Sequence, residues 1–475
     1  MAMLGKRRPT RRRSGVSGLQ RQAASATTPP AAGAQDAAVR IERLAHDGRG
    51  VAHAPDGKAL FVEGALPGER VTVAVHRARK RYDEAHVRTL VEASPRRVTP
   101  PCPHYAQCGG CDLQHLSLDG QRAHKSAVLV DLLAREGVAL AEPPELLAEP
   151  DTAYRRRARL GVKVDSEGRV HLGFRERHAS HLVDITTCRV LVPRLEALLG
   201  PLRELLEALA APRQVGHVEL IDSDGGTAVV VRQLRENAAD RRCWQAFGAA
   251  QGVAVGRWLG RDGPAFAWLG DAPDLHYALP GAGPDDSLRL GFAPGDFVQV
   301  NAAVNRRLVA TARAWLAPLA GERLLDLYAG IGNFSLPLAA DGARVAAAEG
   351  HLAMVQRLID NAQHNALTVT AEQADLSEAG AVAALLATQA PDAVLLDPPR
   401  DGAEAVCRAL CAHPVPRVLY IACDPATLAR DAARLVHGGY CLRRVAVADM
   451  FVHTSHLESV LLFEHPERQP SAQGA

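Results

Sequence analysis

From residue 291 to 467, short apolar runs alternate with stretches that carry one apolar face, and this alternation constrains the fold more than any other feature. The runs are RLLDLYAG (323–330), RVAAAEG (344–350), DAVLLDPPR (392–400), RVLYIAC (417–423) and ESVLLFE (458–464). Helical periodicity fills 301–319 and 352–365 between or before them. Runs of four or more apolar residues fit strands buried on both faces. Strands separated by helices pair in parallel, so the pattern predicts a doubly wound α/β sheet. Sites in such sheets form at the carboxyl ends of the strands.

The rest of the 475-residue chain is long enough for two or three further units. Residues 1–38 hold seven basic residues (Lys6, Arg7, Arg8, Arg11, Arg12, Arg13 and Arg21) before the first acid, Asp36, and show no apolar period. They read as a disordered basic tail. Without those seven of the 55 basic residues, the remainder carries 48 against 53 acidic ones, so nucleic-acid contact requires local basic patches. Residues 39–94 hold β-branched runs cut by Gly, Pro and Asp, which predicts a small five-strand all-β barrel. Arg43, Arg49, Lys58, Arg77, Arg79, Lys80, Arg81 and Tyr82 make it basic and aromatic, as an RNA-binding surface requires; solvated charge on a structural barrel is the plain alternative. Residues 95–290 read as an α+β domain with an amphipathic helix near 122–136. In its YRRRARL stretch (154–160), alternation places Arg155, Arg157 and Arg159 on one side of a strand, suited to phosphates. Residues 468–475 read as a tail. No apolar run reaches the ~18 residues of a membrane span and no secretory signal is visible. A cytoplasmic monomer with no membrane and no obligate protein partner is therefore expected.

In DLYAGIGNF (326–334), Gly330 and Gly332 let backbone approach a ligand, and Glu349 stands at the end of the next apolar strand, where a carboxylate accepts both ribose hydroxyls. The motif is not G-x-G-x-x-G and no glycine opens a helix for a pyrophosphate. The pattern therefore favours S-adenosylmethionine (SAM), which has no phosphate, over NAD. Asp375 follows a weaker third strand, where it either meets the adenine amine or serves as a turn residue.

LLDPPR puts Asp397 at a strand end, with two prolines stiffening a loop that can face a flat ring. Cys423 ends the next strand just before a helix, a position that lowers a thiol pKa and favours thiolate. Cys243, Cys407, Cys411 and Cys441 read as core or incidental. Glu458 opens the last apolar run and can act as a general base. His453 and His456 read as structural hydrogen-bonders. A thiolate, a base and a methyl donor suit one reaction: methylation of carbon 5 of uracil. Thiolate addition to carbon 6 makes carbon 5 nucleophilic.

CPHYAQCGGC (102–111) supplies three thiols, Cys102, Cys108 and Cys111, in ten residues. The spacing is wide for a zinc knuckle and is not the radical-SAM spacing, so zinc and iron–sulfur both stay open. His104 reads as a loop histidine.

The DLYAGIGNF, LLDPPR, IACDPATLARD and HTSHLESV stretches resemble the RNA uracil-C5 methyltransferases, over roughly residues 39–465. The resemblance implies a multidomain chain: an OB-like TRAM barrel, a central α+β domain, and a C-terminal Rossmann-like SAM-dependent methyltransferase domain at 291–467. It implies Cys423 as nucleophile and Glu458 as base. It places Gln299, Tyr328, Asn333, Glu349, Asp375 and Asp397 around SAM. It joins Cys188 to Cys102, Cys108 and Cys111 as ligands of a [4Fe–4S] cluster, whose work is to staple the cysteine loop to the central domain. TRAM and four cysteines together resemble the branch that methylates one specific uridine of 23S ribosomal RNA. The competing readings are the same chemistry at another rRNA or tRNA uridine, methylation of an exocyclic amine without Cys423, a non-catalytic RNA-binding or ribosome-assembly protein, and an iron–sulfur redox sensor.

Overall fold

The computed structural model describes residues 38–466 except 178, 180 and 284. Apart from residue 38, both expected tails, 1–38 and 468–475, lie outside the described residues. The contacts separate two compact units. One runs to Ala45 and resumes over Arg49–Ser94; the other comprises His46–Gly48 and everything from Pro95 onward.

The first unit is one six-stranded sheet. Six strands stand where five were expected, because the first is split into Val39–Arg40 and Arg43–Leu44. The two halves pair with opposite edges: Val39 lies across from Val71, and Arg43 across from Val51. Only two residues separate them, so the sheet must curve round on itself. Alternation puts Leu60 and Val62 of Ala59–Glu63 inside. They pack with Ile41, Val71 and Ala85. Not all the basic side chains are available to a partner: Lys58 donates to Asp83 (2.6 Å) and Arg79 to Glu84 (3.5 Å). Lys80 and Arg81 are exposed on the turn.

The second unit contains two large sheets. The central one has seven strands, in the order Leu182–Asp184, Val170–Arg175, Arg157–Val164, Val215–Ser223, Gly226–Gln233, Ala254–Leu259 and Ala265–Trp268. Helices Leu199–Ala208 and Ala238–Gln251 share its core through Leu202, Leu206 and the fully buried Trp244. The second helix starts on the Asn237 carboxamide, which accepts from Ala239 N and Asp240 N, and stops at Gly252, whose φ of 63° only glycine adopts readily.

The C-terminal sheet has eight strands. Five are parallel, in the order Val369–Gln373, Arg344–Glu349, Arg323–Leu327, Ala393–Leu396 and Arg417–Ala422. The expectation of a wholly parallel sheet fails beyond them. Glu458–Glu464 runs antiparallel to Arg417–Ala422 and also to Cys441–Ala448. A loop without a helix joins these last two strands, and a direct return can only be antiparallel. Arg443 and Arg444 interrupt the apolar run of Cys441–Ala448 and hide it from periodicity.

The packing also carries the C-terminal core across residue 291. Leu279, Leu288 and Leu290 belong to that core. Helix Leu118–Arg135 contributes Val128, Leu129 and Leu133 to its other face, each worth ~1.5–3 kcal/mol of burial. Strand Glu145–Leu147 adds the sheet's last strand beside Ala446–Ala448. The helix is locked by a buried ion pair. Lys125 Nζ, fully buried, donates to Asp449 Oδ1 (2.7 Å) and to the Phe451 carbonyl (2.9 Å). Arg122 Nε donates to the other carboxylate oxygen (3.1 Å). Burial pulls the Lys125 pKa down, and Asp449 opposes that pull.

Removing one partner of a buried pair leaves its counter-charge uncompensated. Lys125→Ala should lower the unfolding free energy by about 3–5 kcal/mol, read as a lower urea midpoint. A shift under about 1 kcal/mol would mean that Arg122 alone neutralises Asp449.

Candidate active site

Strand Arg323–Leu327 delivers Asp326 at its end, followed by a turn in which Tyr328, Gly330 and Gly332 have φ of 64°, 58° and 97°. A Cβ on Gly332 would lie 2.4 Å from Leu336 Cδ1, and the φ of 97° strains any side chain there, so the position favours glycine. Glu349, at the end of the neighbouring strand, accepts from Gly330 N (3.1 Å) and His351 N (3.0 Å). Those bonds hold its carboxylate across the strand ends. Asp326 is 1% exposed. One carboxylate oxygen accepts from Ser335 Oγ, while Oδ1 has no hydrogen-bond partner. Burial, with a smaller push from Glu349, raises its pKa to about 7.

Asn333 exchanges two hydrogen bonds with Asn305 (2.8 and 3.0 Å) and accepts from Tyr277 Oη (2.9 Å). Gln299 lines the same cavity as Tyr277 and Asn305. Neither of these two partners was singled out from sequence. The one available signal was Asn305, a polar residue on the apolar face of helix Ala302–Leu316. Tyr328 Oη donates to the Leu376 carbonyl (3.4 Å). Asp375 is exposed and accepts from Ser377 N (3.0 Å) and Ser377 Oγ (2.6 Å). Those two bonds close a local turn at Asp375.

The register brings the reactive groups together. Ala422 pairs with Ser459 across the antiparallel strands, so Cys423, one residue on, and Glu458, one residue back, meet at the same end of the ladder within electrostatic reach of each other. Asp397 follows the adjacent strand Ala393–Leu396. Burial pushes the Cys423 thiol up to about 11; Glu458 and Asp397 push further, and Arg400 opposes them by charge and hydrogen bond. The expected thiolate-favouring helix end does not prevail. Asp424 caps helix Pro425–His437 by accepting from Ala426 N and Thr427 N (3.1 and 2.9 Å), which takes up two of its first amides. Glu458 is 2% exposed. Its carboxyl is held well above the usual range by burial first and Asp397 second. Asp397 is raised by burial and by Asp326.

The arginine strand differs from the expectation of a phosphate-facing row. Arg156 is paired with Asp222 (3.0 Å) and Asp224 (2.8 Å), and Arg157 with Glu219 (2.9 Å). Arg155 donates to the Arg157 carbonyl (3.0 Å) and precedes the strand. Arg159 is the exposed member. Acids on the neighbouring strand, invisible to local alternation, take Arg156 and Arg157.

Cys102, Cys108, Cys111 and Cys188 are half-buried free thiols. Burial drives Cys111 up to about 12 and Cys188 up to about 11, and the other cysteines of the set add to both shifts. The four therefore lie within electrostatic reach of one another. Arg177 organises their loop. It donates to the carbonyls of Cys108 (3.2 Å) and Cys111, and its guanidinium lies 4.5 Å from the Tyr105 ring centre. His104 Nε2 accepts from Thr186 N (3.2 Å). Among the described residues, no three His, Cys, Asp or Glu side chains form a group able to hold one metal ion.

A thiol at about 11 is scarcely ionised at neutral pH. Iodoacetamide labelling of Cys423, followed by peptide mass spectrometry, should rise about tenfold per pH unit from pH ~7 to ~10. Arg400→Gln should move that curve to higher pH. A plateau already reached near pH ~8 would show an ionised sulfur and defeat the reading.

Comparison with known proteins places this site in a family. The model of the tRNA (Uracil-5-)-methyltransferase family matches residues 285–466, and the TRAM domain matches residues 35–87. A 23S rRNA (uracil(1939)-C(5))-methyltransferase RlmD of Halomonas elongata is 59% identical, covering 100% of this chain and 99% of its own. The RlmD of Chromohalobacter salexigens is 54% identical, covering 97% and 95%. In structure, the Pyrococcus abyssi tRNA (uracil-54, C5)-methyltransferase, solved with S-adenosyl-L-homocysteine, aligns with a TM-score of 0.69. That alignment covers 90% of this chain and 100% of the archaeal one at 24% identity, a likeness of fold. With identity above half along essentially its whole length, the chain belongs to the RlmD family of 23S rRNA uracil-C5 methyltransferases.

Proposed function

We propose that this enzyme methylates carbon 5 of a 23S ribosomal RNA uridine, the one numbered 1939 in its relatives' names, with SAM as donor. The observation that carries the reading is the cross-strand placement of Cys423 against Glu458, beside the acid-lined turn of Asp326 and Glu349. The pocket suits a cationic nucleoside. Asp326 Oδ1 is buried without a partner, and Asp326, Asp397 and Glu458 are all held in favour of protonation. A sulfonium and an ammonium would relieve that crowding. Gln299, Tyr328, Asn333, Glu349, Asp375 and Asp397 line the proposed site, with Glu349 toward the ribose hydroxyls. Bound there, SAM supplies the methyl group as an electrophile.

The chain's own residues do the rest. Cys423 gives up its proton to solvent, aided by the Arg400 cation, and its sulfur bonds to carbon 6 of uracil. The ring electrons move to oxygen 4, which makes carbon 5 the nucleophile that takes the methyl group. Glu458 then removes the proton from carbon 5, the double bond re-forms and the sulfur leaves. A buried carboxylate with raised proton affinity is a stronger base than an exposed one. The target uridine must leave its stack to expose carbon 6.

For Cys102, Cys108, Cys111 and Cys188 we propose a [4Fe–4S] cluster with a structural role. Four thiols within electrostatic reach of one another suit a cube, in which each sulfur meets a different iron. One zinc ion would need all four at a single centre. Anaerobically prepared protein should then hold about four irons per chain and lose them in Cys111→Ser. About one zinc per chain would reverse the assignment.

5-Fluorouridine-substituted 23S rRNA fragments test the chemistry. Fluorine at carbon 5 blocks the final proton removal, so wild-type protein with SAM should form a denaturation-resistant adduct, absent in Cys423→Ala. Glu458→Gln should trap ordinary RNA in the same way. Undiminished methyl transfer by Cys423→Ala would overturn the mechanism.

A further inference from the structure

The loop between Ala448 and Glu458 is held largely from outside. The Phe451 carbonyl accepts from Lys125 Nζ (2.9 Å) and the Val452 carbonyl from Tyr154 Oη (3.0 Å). His453, whose φ is 69°, donates its N–H to Gln121 Oε1 (3.0 Å), and its carbonyl accepts from both Asp112 N and Leu113 N (3.0 Å each). The last clasp before the base is Asp112. Its two carboxylate oxygens accept from Ser455 N (2.7 Å) and Ser455 Oγ (2.9 Å). Ser455 is three residues before Glu458, and Asp112 directly follows Cys111. The Asp112 carbonyl is in turn fixed by Tyr105 Oη (2.6 Å), beneath the Arg177 guanidinium. No element of the catalytic sheet holds Ser455 in these bonds; the cysteine loop does.

We infer that Asp112 is a positioning residue for proton removal, fixing Glu458 through its two-point grip on Ser455. The inference rests on the reading of Glu458 as base. A bidentate carboxylate sets both the height and the rotation of the loop, and Glu458 must reach carbon 5 from the face that register assigns it. Addition of Cys423 depends on a different strand and helix, so slackening the grip slows the last step and spares the first.

Asp112→Ala should lower kcat about 100-fold, the scale of an ångström-level misplacement, with KM for the RNA unchanged. The stalled step gives it a signature: covalent adduct accumulates on ordinary, unfluorinated RNA. Asp112→Asn keeps an acceptor for Ser455 N–H and should restore most of the turnover. Ser455→Ala removes only the hydroxyl bond and should show a weaker form of the same adduct; it carries the test if Asp112→Ala does not fold. Glu458→Gln is run alongside. Adduct in Glu458→Gln without adduct in either Asp112→Ala or Ser455→Ala overturns this inference alone. No adduct in Glu458→Gln removes the base assignment and this inference with it. A fall in activity expressed only as a higher RNA KM also overturns it.

Discussion

A lysine and an aspartate with no solvent around them hold the second unit in register. Charges of that kind persist only when paired and fully hydrogen-bonded, and Lys125 meets the requirement with Asp449 and the Phe451 carbonyl. Because the pair tolerates almost no displacement, it fixes where helix Leu118–Arg135 sits on the C-terminal sheet. The cysteine loop enters that helix from one end, and strand Glu145–Leu147 leaves from the other to complete the sheet. The same pair anchors the start of the loop that ends at Glu458. The cysteine loop and the loop before Glu458 therefore share one buried electrostatic anchor.

Around the reaction centre the logic is reversed. Asp326, Asp397 and Glu458 are crowded together at strand ends with Arg400 as the opposing cation. Such a cluster disfavours its own ionised form and costs stability in the free protein. The arrangement suits a site whose ligand brings positive charge and whose nucleophile stays protonated until substrate arrives. Burial and the neighbouring acids favour the protonated thiol at Cys423; a thiol reacts more slowly than its thiolate, and a thiolate of raised pKa is the more nucleophilic once formed.

Much of the C-terminal half was legible from local pattern. Asp397, Cys423 and Glu458 announce themselves because each borders an apolar run, and apolar runs here are buried strands. The glycine turn was legible for the same reason: positive φ leaves a compositional trace. Asn305 and Tyr277, which clamp Asn333, left almost none, since a hydrogen bond between residues far apart in the chain has no periodicity. Arg157 looked like a phosphate ligand until the neighbouring strand supplied Glu219. The upward push on the Cys423 thiol left no local trace, because it comes from burial and from Glu458 and Asp397, which only the folded sheet brings near.

The sequence by itself marked most of the buried strands of the C-terminal sheet, and it put Cys423, Glu458 and an acid-flanked glycine turn at their ends. It did so because burial and backbone conformation act on residues close in the chain. Tertiary structure alone decided that the last strand returns antiparallel, and so that Cys423 faces Glu458. It alone decided that the cysteine loop grips the catalytic loop through Asp112 and Ser455. Those outcomes depend on register and on charges brought together from more than 300 residues apart, which only the packed core can arrange.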